Sequence, residues 1–327
     1  MNYLMCSVGR RAELMKYFRA TISKTSKIVA TDNGIYVPAL YFADVKYQVP
    51  KITDENYINI LIDICKKESI NAVTTFIDPE ISLLAKNRDL FENIGIEVLA
   101  PFEHTAELCF DKFKMFKYLT EHNIPTVKTW GSFEEFKQAY DSELIDFPVF
   151  VKPRTGSGSV GARKVTSIEE LKKSFDFDRT LIVQEFMDCV DLDADVYIDT
   201  ISHKAVSVFA KKKLETRIGG ASKTISFKDS NLFDFIQKIT EVLHFNGPVD
   251  MDFFYKNGQY YLSEVNPRFG GAYLHAYGAG VNFIGLIENN LNGKVNEPQF
   301  GNYEDDVVMM MYDSVVICKN GELFYKK

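Results

Sequence analysis

Apolar positions in the first hundred residues fall into short runs separated by stretches with helical spacing. Residues 3–7 read as a strand, 11–23 as a helix, and 27–31 as a second strand ending at Asp32. Ile58, Leu61, Ile62 and Cys65 recur at helical intervals across residues 56–68. Residues 72–76 then form a strand with Asp78-Pro79-Glu80 at its carboxyl end, followed by a helix over 81–92 and a short strand at 97–99. This alternation predicts an α/β unit, a doubly wound parallel sheet, over residues 1–108. Ligands of such sheets sit beyond the carboxyl ends of the strands, so Ser7 to Arg11, Asp32 and Asp78 to Glu80 are expected around one crevice.

The pattern changes near Cys109. Residues 111–123 read as an amphipathic helix carrying Phe113, Phe116 and Leu119, stopped by Asn123-Ile124-Pro125. A strand at 126–129 and a helix at 133–140 follow. The apolar run Pro148-Val-Phe-Val-Lys152-Pro153 then leads into a glycine-rich turn, Arg154-Thr-Gly-Ser-Gly-Ser-Val-Gly161. A strand at 163–165 and a helix at 168–174 close this α+β unit, residues 109–180. A second one, 181–327, opens on Leu181-Ile-Val-Gln-Glu-Phe186, with long strands at 195–201 and 205–211 and a helix at 232–243. Residues 247–266 read as a hairpin turning at Lys256-Asn257-Gly258-Gln259. The tail, 307–318, is expected to be one more strand before a Lys319-Asn320-Gly321 turn.

The hairpin holds the clearest candidate chemistry. Glu264 and Asn266 lie two apart on one strand and face the same way, and Asp252 on the partner strand can reach that side. Three hard oxygen donors on adjacent strands suit Mg²⁺ with room left for phosphates, although a surface hairpin with incidental acids has the same spelling. Gly156 to Gly161 satisfies G-x-G-x-x-G, a weak signal by itself. A dinucleotide fingerprint would open a helix, whereas Ala162-Arg-Lys-Val165 looks extended, and the Walker pattern is missing. A loop between two strands reads either as a flap whose N–H groups close over phosphate or as a plain turn.

The chain has 327 residues, 46% hydrophobic and 25% charged, enough for two or three packed units. A formal charge of −7 argues against a nucleic-acid-coating surface. Five unpaired-looking cysteines fit neither a disulfide frame nor a zinc site. No signal peptide or membrane-length apolar run is legible, and a cytoplasmic enzyme of small molecules is the expectation.

The Lys-Pro strand, the glycine turn, the Gln-Glu-Phe strand and the Asp252…Glu264-Val-Asn266-Pro-Arg268 hairpin, in this order, resemble the ATP-grasp superfamily over roughly residues 109–291. The spacing of 12 between Asp252 and Glu264 (264 − 252) agrees. Ser7-Val-Gly-Arg-Arg11, Asp78-Pro-Glu80 and Asn266-Pro-Arg-Phe-Gly-Gly271 look most like the subgroup of the carbamoyl phosphate synthetase large chain. The resemblance implies a pre-grasp domain followed by an ATP-grasp fold of two α+β lobes. It implies that Lys112 and Lys152 contact ATP phosphates, that Ser157, Gly158 and Ser159 cover them, and that Gln184, Glu185 and Phe186 hold adenine. Asp191 stands where the family carries a ribose-binding Glu, one methylene shorter. Asp252, Glu264 and Asn266 are implied ligands of Mg²⁺ or Mn²⁺, with Arg268 and Arg217 facing the transferring group.

The implied reaction is ATP-dependent activation of a small carboxylate, an amino acid foremost, as an acyl phosphate attacked by an amine. Carbamoyl-type chemistry on bicarbonate and a non-catalytic nucleotide-binding subunit are the alternatives. Partners are then small molecules, with neither nucleic acid nor membrane, and related proteins often pair as homodimers. Two local readings stay open. Arg10 and Arg11 either receive an anion or pack on the grasp domain, and His275 either touches substrate or packs.

Overall fold

The computed structural model describes residues 1–156, 161–217 and 220–324. Ser157, Gly158 and Ser159 of the expected flap lie outside the described residues. The first unit holds β1 (Tyr3–Cys6), α1 (Ala12–Thr21), β2 (Ile28–Asp32), β3 (Val45–Gln48), α2 (Tyr57–Glu68), β4 (Ala72–Thr75), α3 (Asp78–Lys86), α4 (Arg88–Glu92) and β5 (Glu97–Val98). Its strands form one parallel sheet in the order β3-β2-β1-β4-β5. β1 is buried on both faces, as a strand covered by helices must be. Leu14, Met15 and Phe18 cover one side from α1, and Leu61, Ile64 and Cys65 the other from α2.

Three details differ from expectation here. β3 was not legible as a strand because it is an edge with alternating exposure and only four residues. Asp78 and Pro79 follow the carboxyl end of β4 as expected, but they already form the first turn of α3 rather than preceding it, where an acid suits the helix dipole and proline lacks only an unneeded donor. The expected single helix over 81–92 breaks at Asn87.

Helices α5 (Glu103–Phe110) and α6 (Lys112–Glu121) carry the chain into a four-stranded sheet. It contains β6 (Thr129–Trp130), α7 (Phe133–Asp141), β7 (Val149–Pro153), β8 (Arg163–Val165), α8 (Ile168–Phe177) and β9 (Leu181–Glu185), with strand order β6-β9-β7-β8. β7 and β8 are antiparallel, so the glycine-rich turn is a hairpin connection.

The third layer is a seven-stranded sheet. It is built from β10 (Val190–Ile198), β11 (Ala205–Arg217), β12 (Gly220–Phe227), β13 (Gly247–Lys256), β14 (Gln259–Asn266), β15 (Gln299–Phe300) and β16 (Val308–Met310). Strands run β14-β13-β10-β11-β12-β16, with β15 pairing β11. One face packs on α9 (Ser230–Val242) through Leu192, Ala194, Val196, Val249, Met251 and Phe253. The other meets the first unit, α10 (Tyr273–Gly278) and α11 (Phe283–Leu291).

The expected tail strand is shorter than 307–318. β16 pairs only with Lys223 to Ile225, and β12 begins at Gly220, which leaves little partner strand beyond them. A small hairpin, β17 (Cys318–Lys319) with β18 (Glu322–Leu323), follows, turning at Asn320 and Gly321 with φ of 53° and 82°. No helix among the described residues is long and apolar enough to cross a membrane.

Candidate active site

Strand register builds one charged face. β10 reads Asp191-Leu-Asp-Ala-Asp-Val196, so its apolar residues enter the core and its three aspartates point away from it. β13 repeats the pattern with Asp250 and Asp252. Across the strands Asp193 stands opposite Asp252, Asp195 opposite Asp250, Asp252 opposite Glu264 and Asp250 opposite Asn266. The register shifts after Asp252, so Ser263 is the extra residue of a bulge next to Glu264. The expected trio Asp252, Glu264 and Asn266 therefore shares one face, together with carboxylates the sequence reading had not singled out.

Two lysines on β11 balance that face. Lys211 is fully buried, 3.1 Å from Asp193 and bonded to Asp195. Lys213 lies 2.9 Å from Asp191 Oδ1 and is also bonded to Asp252 Oδ1. Burial pushes the Asp195 and Asp252 carboxyls up to about 6, with Lys211 and Lys213 respectively pulling the other way. Burial raises Asp250 well above the usual range, helped by Asp193 and Asp252. Asp193 is buried too, yet Lys211 and Lys213 hold it below that range. Gly270 lies on this cluster, and a Cβ there would meet Asp250 Oδ1 at 2.7 Å and Asp195 Oδ1 at 2.8 Å.

Lys152 from β7 of the smaller sheet and Lys112 from the start of α6 approach Glu264, at 3.7 and 4.0 Å. Lys152 is buried; desolvation lowers its pKa, opposed by Glu264 and aided by neighbouring Lys112. Lys112 also donates to the carbonyl of Gly156, at the root of the glycine turn. A cleft joins Gly156, Glu264 and Asn266 with Asp78 of the first unit and Cys109 and Phe110 of α5.

Arg268 Nε donates to Asp78 Oδ1 at 3.0 Å, and its Nη1 lies 3.7 Å from Asp250. Arg11 donates to the carbonyl of Gly270 at 2.8 Å. Of the two readings for Arg11 the structure favours packing on the grasp unit, while Arg10 is exposed. Glu80, expected at the crevice, is instead fully buried and accepts from Tyr57 and Thr75, so its carboxylate is already engaged. His275 is also buried, with Nδ1 2.7 Å from Thr224 Oγ1 and its ring edge-on to Phe209, a packing role.

The expected adenine strand is β9 and its exit. Gln184 turns inward to Thr129 Oγ1 at 2.9 Å, Glu185 pairs with Lys256 at 2.9 Å, and Lys164 sits 4.1 Å over the Phe186 ring. The Glu185 carboxylate is thus already engaged. Arg217 ends β11 with its side chain 60% exposed, 3.4 Å from Glu215, and has no contact to the hairpin among the described residues. The residues missed were Lys211, Lys213, Asp193, Asp195 and Asp250. The signal available was period-two alternation of acids with apolar residues in β10 and β13; Lys211-Lys212-Lys213 of β11 is a continuous charge run and offered none.

A model for the ATP-grasp domain matches residues 109–272, and a model for the PylC-like N-terminal domain matches 3–99. The chain belongs to the ATP-grasp family. The carbamoyl phosphate synthase large chain of Sulfolobus acidocaldarius is 24% identical over 66% of this ATP-grasp chain and 22% of its own length. D-alanine–D-alanine ligase B of Clostridium perfringens is 27% identical over 76% of this chain and 89% of its own. N5-carboxyaminoimidazole synthetase from Staphylococcus aureus, solved with ADP, superposes with a TM-score of 0.73 at 18% identity, over 91% of this chain and 79% of that one. The ATP-grasp chain spans less than two thirds of the length of the first three curated relatives, at 22%, 58% and 62%.

Proposed function

We propose that this ATP-grasp protein is an ATP-dependent ligase that joins a small carboxylate, an amino acid foremost, to an amine. One observation carries the reading: Lys112 and Lys152 converge on Glu264 beside the glycine turn, in the cleft that also holds Asn266 and Asp78. Lysines and carboxylates aimed at one point are the arrangement a magnesium nucleotide needs, each sign answering one component of the ligand.

Asp252 and Glu264, opposite in register, and Asn266 offer hard oxygens to magnesium. The lysines stand off Glu264 at 3.7 Å or more, which leaves its oxygens available to a cation. Bound magnesium would neutralise phosphate oxygen charge. Lys152 and Lys112 bind and orient the phosphates. The substrate carboxylate oxygen attacks the γ-phosphorus as the bond to ADP breaks, and Arg268 offsets charge at the transferring group. The amine then attacks the acyl carbon, phosphate leaves and the amine loses its proton. Ser157, Gly158 and Ser159 are assigned to the cover over the phosphates, the exit of β9 to adenine, and Asp191 to the ribose side. For Arg217 the Glu215 pair counts against a part in transfer.

Bicarbonate is a second acceptor worth testing. A 2-oxoglutarate carboxylase domain solved with MgADP and bicarbonate has a TM-score of 0.72 to this chain at 17% identity.

The test is ADP release over amino acids, small carboxylates and bicarbonate, alone and with amines, followed by mass detection of the product. Turnover with a carboxylate–amine pair is expected, lost in Lys152→Ala and Glu264→Gln while far-UV circular dichroism is kept. ADP release that no carboxylate stimulates, or no heat on titrating magnesium ATP, overturns the reading.

A further inference from the structure

Lys213 is not among the residues assigned to nucleotide or metal, yet it touches two of them directly. Its side chain is 14% exposed and shared between two acids, bonded to Asp252 Oδ1 and 2.9 Å from Asp191 Oδ1. Lys211, two residues earlier, faces the same side but is wholly buried between Asp193 and Asp195. The two lysines thus have different settings. Lys211 neutralises acids that nothing from solvent reaches, whereas Lys213 occupies an acid that is 26% exposed and stands opposite Glu264.

We propose that Lys213 is a positioning residue that makes metal binding conditional on nucleotide. This rests on the reading of Asp252 as a magnesium ligand. A divalent cation at Asp252 must share that carboxylate with an ammonium, and two cations a few ångströms apart in a half-buried site repel strongly. A lone metal ion therefore meets an acid pair whose charge Lys213 has already halved. A nucleotide changes the balance, because its phosphates bring negative charge that answers both the ammonium and the metal. Asp191 supplies the second anchor, so Lys213 can lean toward it without leaving a charge unpaired in a buried place. The result is a site that admits metal with nucleotide and discriminates against metal alone.

The experiment is Mn²⁺ titration of the full chain, followed by the paramagnetic resonance signal of the free ion, with and without ADP. Without ADP, Lys213→Met should bind Mn²⁺ at least ~10-fold more tightly than wild type, the size expected when a contacting like charge is removed. Lys213→Arg should stay near wild type, because it restores the charge. With saturating ADP the gap between wild type and Lys213→Met should narrow. Lys213→Gln reads the same quantity should the methionine variant give little folded protein. Equal Mn²⁺ affinity for wild type and both neutral variants, with all three still taking up Mn²⁺ and ADP together, overturns the role of Lys213 and leaves the nucleotide site standing. Failure of wild type to take up Mn²⁺ and ADP together overturns the site reading instead, and this inference with it.

Discussion

At the scale of single residues, Gly270 and His275 make opposite demands on their surroundings. Gly270 is held to hydrogen by two carboxylate oxygens that a Cβ would strike at 2.7 and 2.8 Å. Gly270→Ala should cost about 1–3 kcal/mol, as overpacking does, read as a lower urea midpoint with an unchanged slope. His275 is kept neutral: burial, with Lys211 near, lowers its pKa from 6.5 to about 4. The unfolded chain then takes up the proton first as pH falls. The stability involved is complete above about pH 6.5 and is lost toward pH 4, up to about 3 kcal/mol. Urea midpoints measured across that window should fall more steeply for wild type than for His275→Gln. Residues such as Lys152, Glu264 and Asn266 were legible because each sits in a short motif with its spacing. Lys211 and Lys213 were not, since Lys211-Lys212-Lys213 spells a solvated charge run, and only pairing with β10 turns alternate members inward.

At the scale of elements, α6 and the glycine turn are fastened together by one side chain. Asp111 caps α6 by accepting from the N–H groups of Phe113 and Lys114 at 3.1 and 3.0 Å, and it also pairs with Arg154 at 2.7 Å. Asp111→Asn keeps a cap but loses the ion pair, whereas Asp111→Ala loses both and should cost a further ~1 kcal/mol. The KM for ATP should rise in both variants, more in alanine, because Lys112 follows directly on the cap and Arg154 begins the turn. Should ADP-release assays give an unchanged KM, this fastening has no bearing on nucleotide. Element type was readable wherever periodicity ran long, as in α2, whereas the strand expected at 195–201 runs from Val190 to Ile198. The pattern failed at the four-residue edge β3 and at the tail, where strand ends depend on how far a partner extends.

At the scale of the whole molecule, the first unit reaches the charged face through Arg268, held by Asp78 from α3 and near Asp250 from β13. Both side chains of the Asp78 pair are little exposed, at 12% and 14%, so the bond is sheltered from screening. Asp78→Asn should lower global stability by about 2 kcal/mol, the worth of a charged hydrogen bond, by calorimetry or urea. It should also slow ADP release if Arg268 is held in place from the first unit. Sequence order gave the succession of the three sheets, but not this connection, because Asp78 and Arg268 lie 190 positions apart.

That bond also limits recombination. Replacing everything ahead of Cys109 with the matching stretch of a relative would leave Arg268 only the longer contact to Asp250 unless the donor supplies an acid at the start of the corresponding helix. Chimeras of this chain should therefore sort into working and silent classes by the residue at that single junction, whatever the similarity elsewhere.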